Sequence, residues 1–172
     1  MNILQAAFLT AFPALVILAA LSDLTSYTIP NRLNLLLAAA FLPAALLMGS
    51  SPAAVGLDLA IGFAALVGGV AMFAAGWIGG GDAKLFAATA LWLGLPGLPI
   101  FLTVTALAGG GLAVLLLNAR SAWVRPYLAD APPWLGRLVT PGAAVPYGAA
   151  IAAGALAAFP HSPLLQAFHG FF

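Results

Sequence analysis

Four carboxylates stand in a chain that is otherwise almost uncharged: Asp23, Asp58, Asp82 and Asp130. There is no cysteine, so thiolate nucleophiles, disulfides and cysteine-ligated zinc drop out. The two histidines, His161 and His169, lie near the C-terminal end and lack a third ligand, so no metal site is expected. What remains is carboxylate chemistry. Two like charges about 4 Å apart repel by roughly 4 kcal/mol at an effective dielectric near 20. In such a pair one carboxyl keeps its proton while the other stays ionised. The ionised member can take a proton from a water held between them. The protonated member can donate to the carbonyl oxygen under attack. That is general acid–base hydrolysis of a peptide bond without a cofactor, and the pair titrates as a unit.

Which carboxylates can meet depends on the elements that carry them. Apolar residues make up 64% of the 172 residues and charged residues 5%, against roughly 25% charged in soluble domains. Five basic and four acidic side chains cannot cover a water-soluble surface, so the solvent for most of this surface is lipid. A membrane helix needs about 20 residues. The length therefore predicts an all-α, polytopic membrane protein of about six transmembrane helices, with residues 1–172 forming one membrane-embedded domain. A net charge of +1 with no basic patch argues against nucleic acid as a partner. Residues 1–22 are apolar, but the first ten carry no Lys or Arg. They read as a retained span rather than a signal peptide.

Apolar runs divided by polar or Gly/Pro clusters place the spans near Ile3–Ser22, Leu33–Met48, Val55–Ile78, Ala83–Leu95, Ile100–Leu117 and Ala144–Phe159. The fourth is expected to break in Leu95-Pro96-Gly97-Leu98-Pro99. Between the fifth and sixth lies a more polar stretch with Trp123, Tyr127 and Trp134, residues suited to a membrane interface. Arg32, Lys84, Arg120, Arg125 and Arg137 all fall on one side of this arrangement. The positive-inside rule makes that side cytoplasmic and puts both termini on the other, periplasmic side.

Asp23 and Asp82 then share the cytoplasmic end and can meet in space, whereas Asp58 lies at the opposite end and Asp130 in the polar loop. An ionisable group at membrane depth costs roughly 2.5–3.5 kcal/mol and points to function. Each aspartate also has a plainer reading. Asp82 could cap a helix N-terminus, and Asp23 could mark where the first span leaves the lipid. At a helix C-terminus, however, Asp23 opposes the helix dipole, which capping does not explain. The glycines before Asp82 would let a substrate approach the backbone and permit φ > 0, or merely turn the chain.

Three separated motifs carry a resemblance to a known family. Gly79-Gly80-Gly81-Asp82-Ala83-Lys84-Leu85 resembles the GxGD-x-K-L signature of the type IV prepilin peptidases. Asp23 followed by Ile29-Pro30-Asn31 resembles the family's first aspartate segment, and Val145-Pro146-Tyr147-Gly148 its last span. The resemblance implies an aspartic endopeptidase of the bacterial inner membrane with Asp23 and Asp82 as the catalytic pair. Gly79, Gly81, Lys84, Pro30 and Asn31 would bind substrate or support the pair. It implies prepilin or pseudopilin substrates, cut at the cytoplasmic face just before their apolar segment. Larger members carry a cysteine-paired insert and also methylate the new N-terminus. Without cysteines this chain resembles the small members associated with Flp/Tad pili, and methyl transfer is not expected. Lys84 could tune an aspartate or hold a substrate carbonyl, or simply snorkel to the interface.

Three other readings compete, of which an assembly or anchoring protein without chemistry leaves the paired motifs unexplained. A presenilin-like intramembrane protease shares the GxGD feature, but Ser22 rather than Tyr precedes Asp23, and Pro13-Ala14-Leu15 falls far ahead of Asp82. A small ion- or proton-coupled transporter subunit would place its acids near the bilayer midplane rather than at one face.

Overall fold

The structure, a computed structural model, describes residues 3–128 and 131–169, without the side chains of Arg125, Phe168 and His169. The described residues form helices and no strand: α1 (Ile3–Ser26), α2 (Asn31–Leu47), α3 (Pro52–Ala74), α4 (Gly80–Ala119), α5 (Pro133–Leu138), α6 (Tyr147–Ala158) and α7 (Pro163–His169). Short 3-10 turns occupy Arg125–Leu128 and Phe159–His161. Four stretches are long and apolar enough to cross a bilayer: Ile3–Ser26, Pro52–Ala74, Gly80–Ala119 and Tyr147–Ala167. α2 is an apolar helix of 17 residues.

α4 is not one span. A straight helix of 40 residues would reach about 60 Å, twice the hydrocarbon thickness. Gly94 interrupts it with φ 56° and ψ −174°, a conformation essentially reserved for glycine. The Phe86 and Phe101 rings stack at 5.0 Å across the bend; on a straight helix they would stand about 22 Å apart. The chain therefore folds back into two antiparallel arms, 80–93 and 95–119, which correspond to the expected fourth and fifth spans. The break lies at Gly94, not in 95–99 as the sequence suggested. Pro96 falls in the first turn of the second arm, where its missing N–H has no helical partner to lose.

α3 and α6 run antiparallel and close to the arms of α4 they pack on, whereas α2 runs parallel to the first arm. Gly62 and Gly69 of α3 meet Leu91 and Ala83 of the first arm, and Gly154 of α6 meets Thr105 of the second. Such small-residue contacts hold helices together in lipid, where burial from water is not available as a driving force. Trp92 is fully buried at the centre. Its indole N–H donates to Leu37 O of α2 at 2.7 Å, and its ring lies 5.3 Å from Phe12 and 6.0 Å from Phe41. Phe12 in turn stacks on Phe159 at 4.6 Å. One aromatic cluster thus ties α1, α2 and the first arm of α4 to the end of α6.

Other boundaries shift from expectation. α1 continues to Ser26, so the polar stretch from Asp23 onward is its last turn rather than a loop. α6 begins at Tyr147, after Pro146. The polar stretch after α4 includes α5, and the C-terminal tail forms α7. Trp123 and Tyr127 are exposed, as interface residues should be. Asp130 lies outside the described residues.

Candidate active site

Asp23 and Asp82 come together at one end of the bundle. Asp82 is the third residue of α4 and Asp23 sits in the last turn of α1. Both are buried, at 5% and 9% exposure. The Gly148 N–H, in the first turn of α6, donates to Asp23 Oδ2 at 2.8 Å, and Asp82 lies close enough to feel the Asp23 carboxylate. Three helices that are remote in sequence therefore converge on one amide and two carboxyl groups.

Local chemistry explains each placement. Pro146, the N-cap of α6, offers no side-chain acceptor. Asp23 supplies one from α1, which puts its carboxylate at the positive end of the α6 dipole. That removes the apparent conflict with its own helix C-terminus. Asp82 accepts the Gly79 N–H at 3.3 Å, as the returning half of a capping arrangement. Capping is therefore real for both residues, but it does not exhaust Asp82. Its Oδ1 is buried and has no partner among the described residues, an arrangement that costs about 1–3 kcal/mol. Asp82 also lines a cavity of about 600 Å³ shared with Phe86, Leu102, Gly109, Tyr147 and Ile151, and Asp23 does not.

The glycines before Asp82 act differently from expectation. None of Gly79, Gly80 and Gly81 uses φ > 0. At Gly79 and Gly81, though not at Gly80, the space a Cβ would take is already filled by the protein. At Gly79 it is taken by Asp82 Oδ2, at 2.9 Å from an added Cβ. At Gly81 it is taken by Ile29, whose Cβ would lie 3.2 Å away. Gly148 is tighter still, with Asp23 Oδ2 at 2.8 Å and Ile29 Cδ1 at 3.0 Å from its added Cβ. Ile29 is thus wedged between the two glycines that flank the carboxyl groups. Gly148 and Ile29 were not singled out as site residues. Their signal was present in the spacing of the motifs, but only the fold shows that they touch.

The turn that delivers Ile29 is strained. Tyr27 takes φ 55°, which costs a non-glycine residue roughly 1–2 kcal/mol. It is held from α5: the Tyr27 hydroxyl donates to Arg137 O at 3.4 Å, and Arg137 Nη2 donates to Thr25 O at 2.5 Å. Arg120 secures the other side. Its guanidinium donates to Leu138 O, Ala143 O and Ala144 O at 2.8, 2.8 and 2.9 Å. These are the carbonyls of the segment that leads into α6 and the Gly148 amide.

Pro30, Asn31 and Lys84 lie beside this site without hydrogen-bonding to either aspartate. Pro30 is the N-cap of α2. Lys84 Nζ donates to Asn31 Oδ1 at 2.8 Å, and Asn34 Nδ2 donates to Gly81 O at 3.2 Å. The first turn of α2 is thereby clamped to the first turn of α4. Asp58 is buried at the other end of the bundle, against the Gly94 bend.

Fold and site together define a polytopic membrane protein with a buried carboxylate pair beside a cavity. The profile of the type IV leader peptidase family matches residues 10–114, more than half of the chain. The protein belongs to that family, which makes it a membrane peptidase with prepilin-like precursors as its general substrate class. The matched range includes both aspartates and ends before α6, which brings the Gly148 amide. Comparisons with curated proteins and with solved structures returned no match.

Proposed function

We propose that the protein is an aspartic endopeptidase in which Asp23 and Asp82 are the catalytic pair. The observation that carries this reading is the meeting of two buried carboxylates at the start of α4 and α6, Asp23 on the Gly148 N–H and Asp82 on the Gly79 N–H, with one Asp82 oxygen left unpartnered beside a cavity. A water between the carboxyl groups would lose a proton to the ionised member as it attacks the scissile carbonyl. The other member would protonate the carbonyl oxygen. Asparagine at either position keeps the shape but removes the base or the acid.

The substrate reading is a prepilin leader of the Flp/Tad type, cut at the cytoplasmic face of the inner membrane. Charge supports that orientation. Arg32, Lys84, Arg120 and Arg137 all lie at the aspartate end of the bundle, through their places in α2 and α4 or their bonds to Thr25 and Ala144. Basic residues favour the cytoplasmic side. The methylating members carry a cysteine-paired insert, and this chain has no cysteine, which supports cleavage without methyl transfer.

The test is co-expression with a Flp-type prepilin, followed by the size of the prepilin on a gel. Asp23→Asn and Asp82→Asn are each expected to leave the leader uncut while remaining in the membrane. Asp58→Asn, at the other end of the bundle, is expected to cut. Cleavage that survives either test substitution would remove that residue from the mechanism, and the transporter reading would then come forward.

A further inference from the structure

A second cavity, of about 590 Å³, lies on the other side of the first arm of α4, between α2 and α3. Its walls are apolar and open: Leu35 and Phe63 are 70% and 68% exposed. Its mouth is basic, formed by Arg32 and Lys84, and no acidic residue lines it. Lys84 is not a free tether, because Asn31 Oδ1 fixes its ammonium at 2.8 Å. α2 starts at the same mouth. Pro30 gives it no side-chain cap, so its first N–H groups and the positive end of its dipole remain available to an anion. An independent feature lies on the same wall. Asn34 is 6% exposed, and its Oδ1 is buried without a partner among the described residues although Nδ2 is bonded to Gly81 O.

We propose that this groove holds an anionic phospholipid with a hydroxyl-bearing headgroup. The phosphate meets Arg32, Lys84 and the start of α2. A headgroup or glycerol hydroxyl donates to Asn34 Oδ1, and an acyl chain follows Leu35, Leu59 and Phe63. Charge and shape select this occupant. Cations at one end of a groove that opens sideways through apolar walls match a lipid in outline. A basic peptide would be repelled at the mouth. The proposal does not depend on the cleavage reaction, because occupancy can be measured without substrate.

The experiment is native mass spectrometry of the full chain, released from membranes of equal phosphatidylglycerol and phosphatidylcholine content. The wild type is expected to retain one phosphatidylglycerol in preference to phosphatidylcholine by on the order of tenfold or more, as two juxtamembrane cations allow. Arg32→Gln combined with Lys84→Gln changes only exposed side chains and should abolish the preference. Ala38→Trp, which plugs the groove, should abolish retention, whereas Ala106→Leu in the Asp82 cavity should leave it intact. Equal retention of the two lipids by the wild type would overturn the proposal. So would a preference that persists in the double variant. A photo-crosslinker at Phe63 that captures the prepilin helix and not lipid would assign the groove to substrate instead.

Discussion

The first arm of α4 presents two unlike faces. Asp82 and Phe86, one helical turn apart, border the cavity that reaches α6. Lys84, Ala87, Ala88 and Leu91 border the groove between α2 and α3. The 3.6-residue period alone separates them. The carboxylate is 9% exposed and sits among backbone amides, while Lys84 is exposed and reaches the rim. A short carboxylate cannot escape to water, so it is held by helix N-termini. A long ammonium can, so it stays at the interface. Two charges two residues apart thus belong to different chemistry, and motif proximity is a poor guide to shared function.

The largest effect should come from breaking the buried face. Asp82→Asn is expected to lower prepilin cleavage by on the order of 10²–10⁴. Lys84→Gln, two positions on, should retain clearly measurable cleavage, because Lys84 bonds to Asn31 and to neither aspartate. Initial rates on a reconstituted prepilin would rank the two. Equal losses would mean that the faces are not chemically separate.

A second contrast uses glycines packed on opposite sides of the bundle. An added Cβ would lie 2.9 Å from Leu91 Cβ at Gly62 and 2.8 Å from Asp23 Oδ2 at Gly148. Both Gly→Ala changes overpack a helix contact and should destabilise by about 1–3 kcal/mol. Only Gly148→Ala also displaces the amide that serves Asp23. Thermal unfolding in detergent should therefore fall for both variants, while cleavage per folded molecule falls only for Gly148→Ala.

These contrasts mark what the sequence made legible. Composition and apolar run lengths were enough for an all-helical membrane fold, because lipid forces every backbone group into internal hydrogen bonds. The Asp23–Asp82 pairing followed from topology. Gly94 did not: its neighbours Leu95-Pro96-Gly97 look more like a break, and the left-handed bend is set by tertiary packing against Asp58 and Pro163. The purpose of Gly79 and Gly81 was also hidden. Only the fold shows that Asp82 and Ile29 occupy the space their missing side chains leave. Basic residues at the aspartate end were read as orientation markers, yet Arg120 and Arg137 also make defined backbone bonds.

Arg120 gives a smaller, graded test of the buried face. Lysine keeps its charge but not the planar fork that reaches three carbonyls. Arg120→Lys should loosen the segment before α6 and so the position of Gly148. The expected result is a fall of about tenfold in kcat with KM nearly unchanged, as for an interaction made in the transition state. A rise in KM alone would assign Arg120 to substrate binding.

The smallest effects separate the glycines of the turn from one another. Gly80 has room: an added Cβ would meet the Phe73 ring at 3.4 Å, an ordinary contact. Because Gly80 is a helical residue of α4, Gly80→Ala should stabilise slightly, by about 0.4–1 kcal/mol, through the unfolded chain. Cleavage should be retained. Gly79→Ala is different although it neighbours Gly80. Its Cβ would lie 2.9 Å from Asp82 Oδ2, and the carboxylate must rotate to make way. A side-chain rotation costs little stability, so Gly79→Ala should unfold near the wild-type temperature while its cleavage rate drops. If Gly80→Ala instead lost cleavage and Gly79→Ala kept it, the spacing around Asp82 would not be what orients the carboxylate. The glycines would then serve the turn alone.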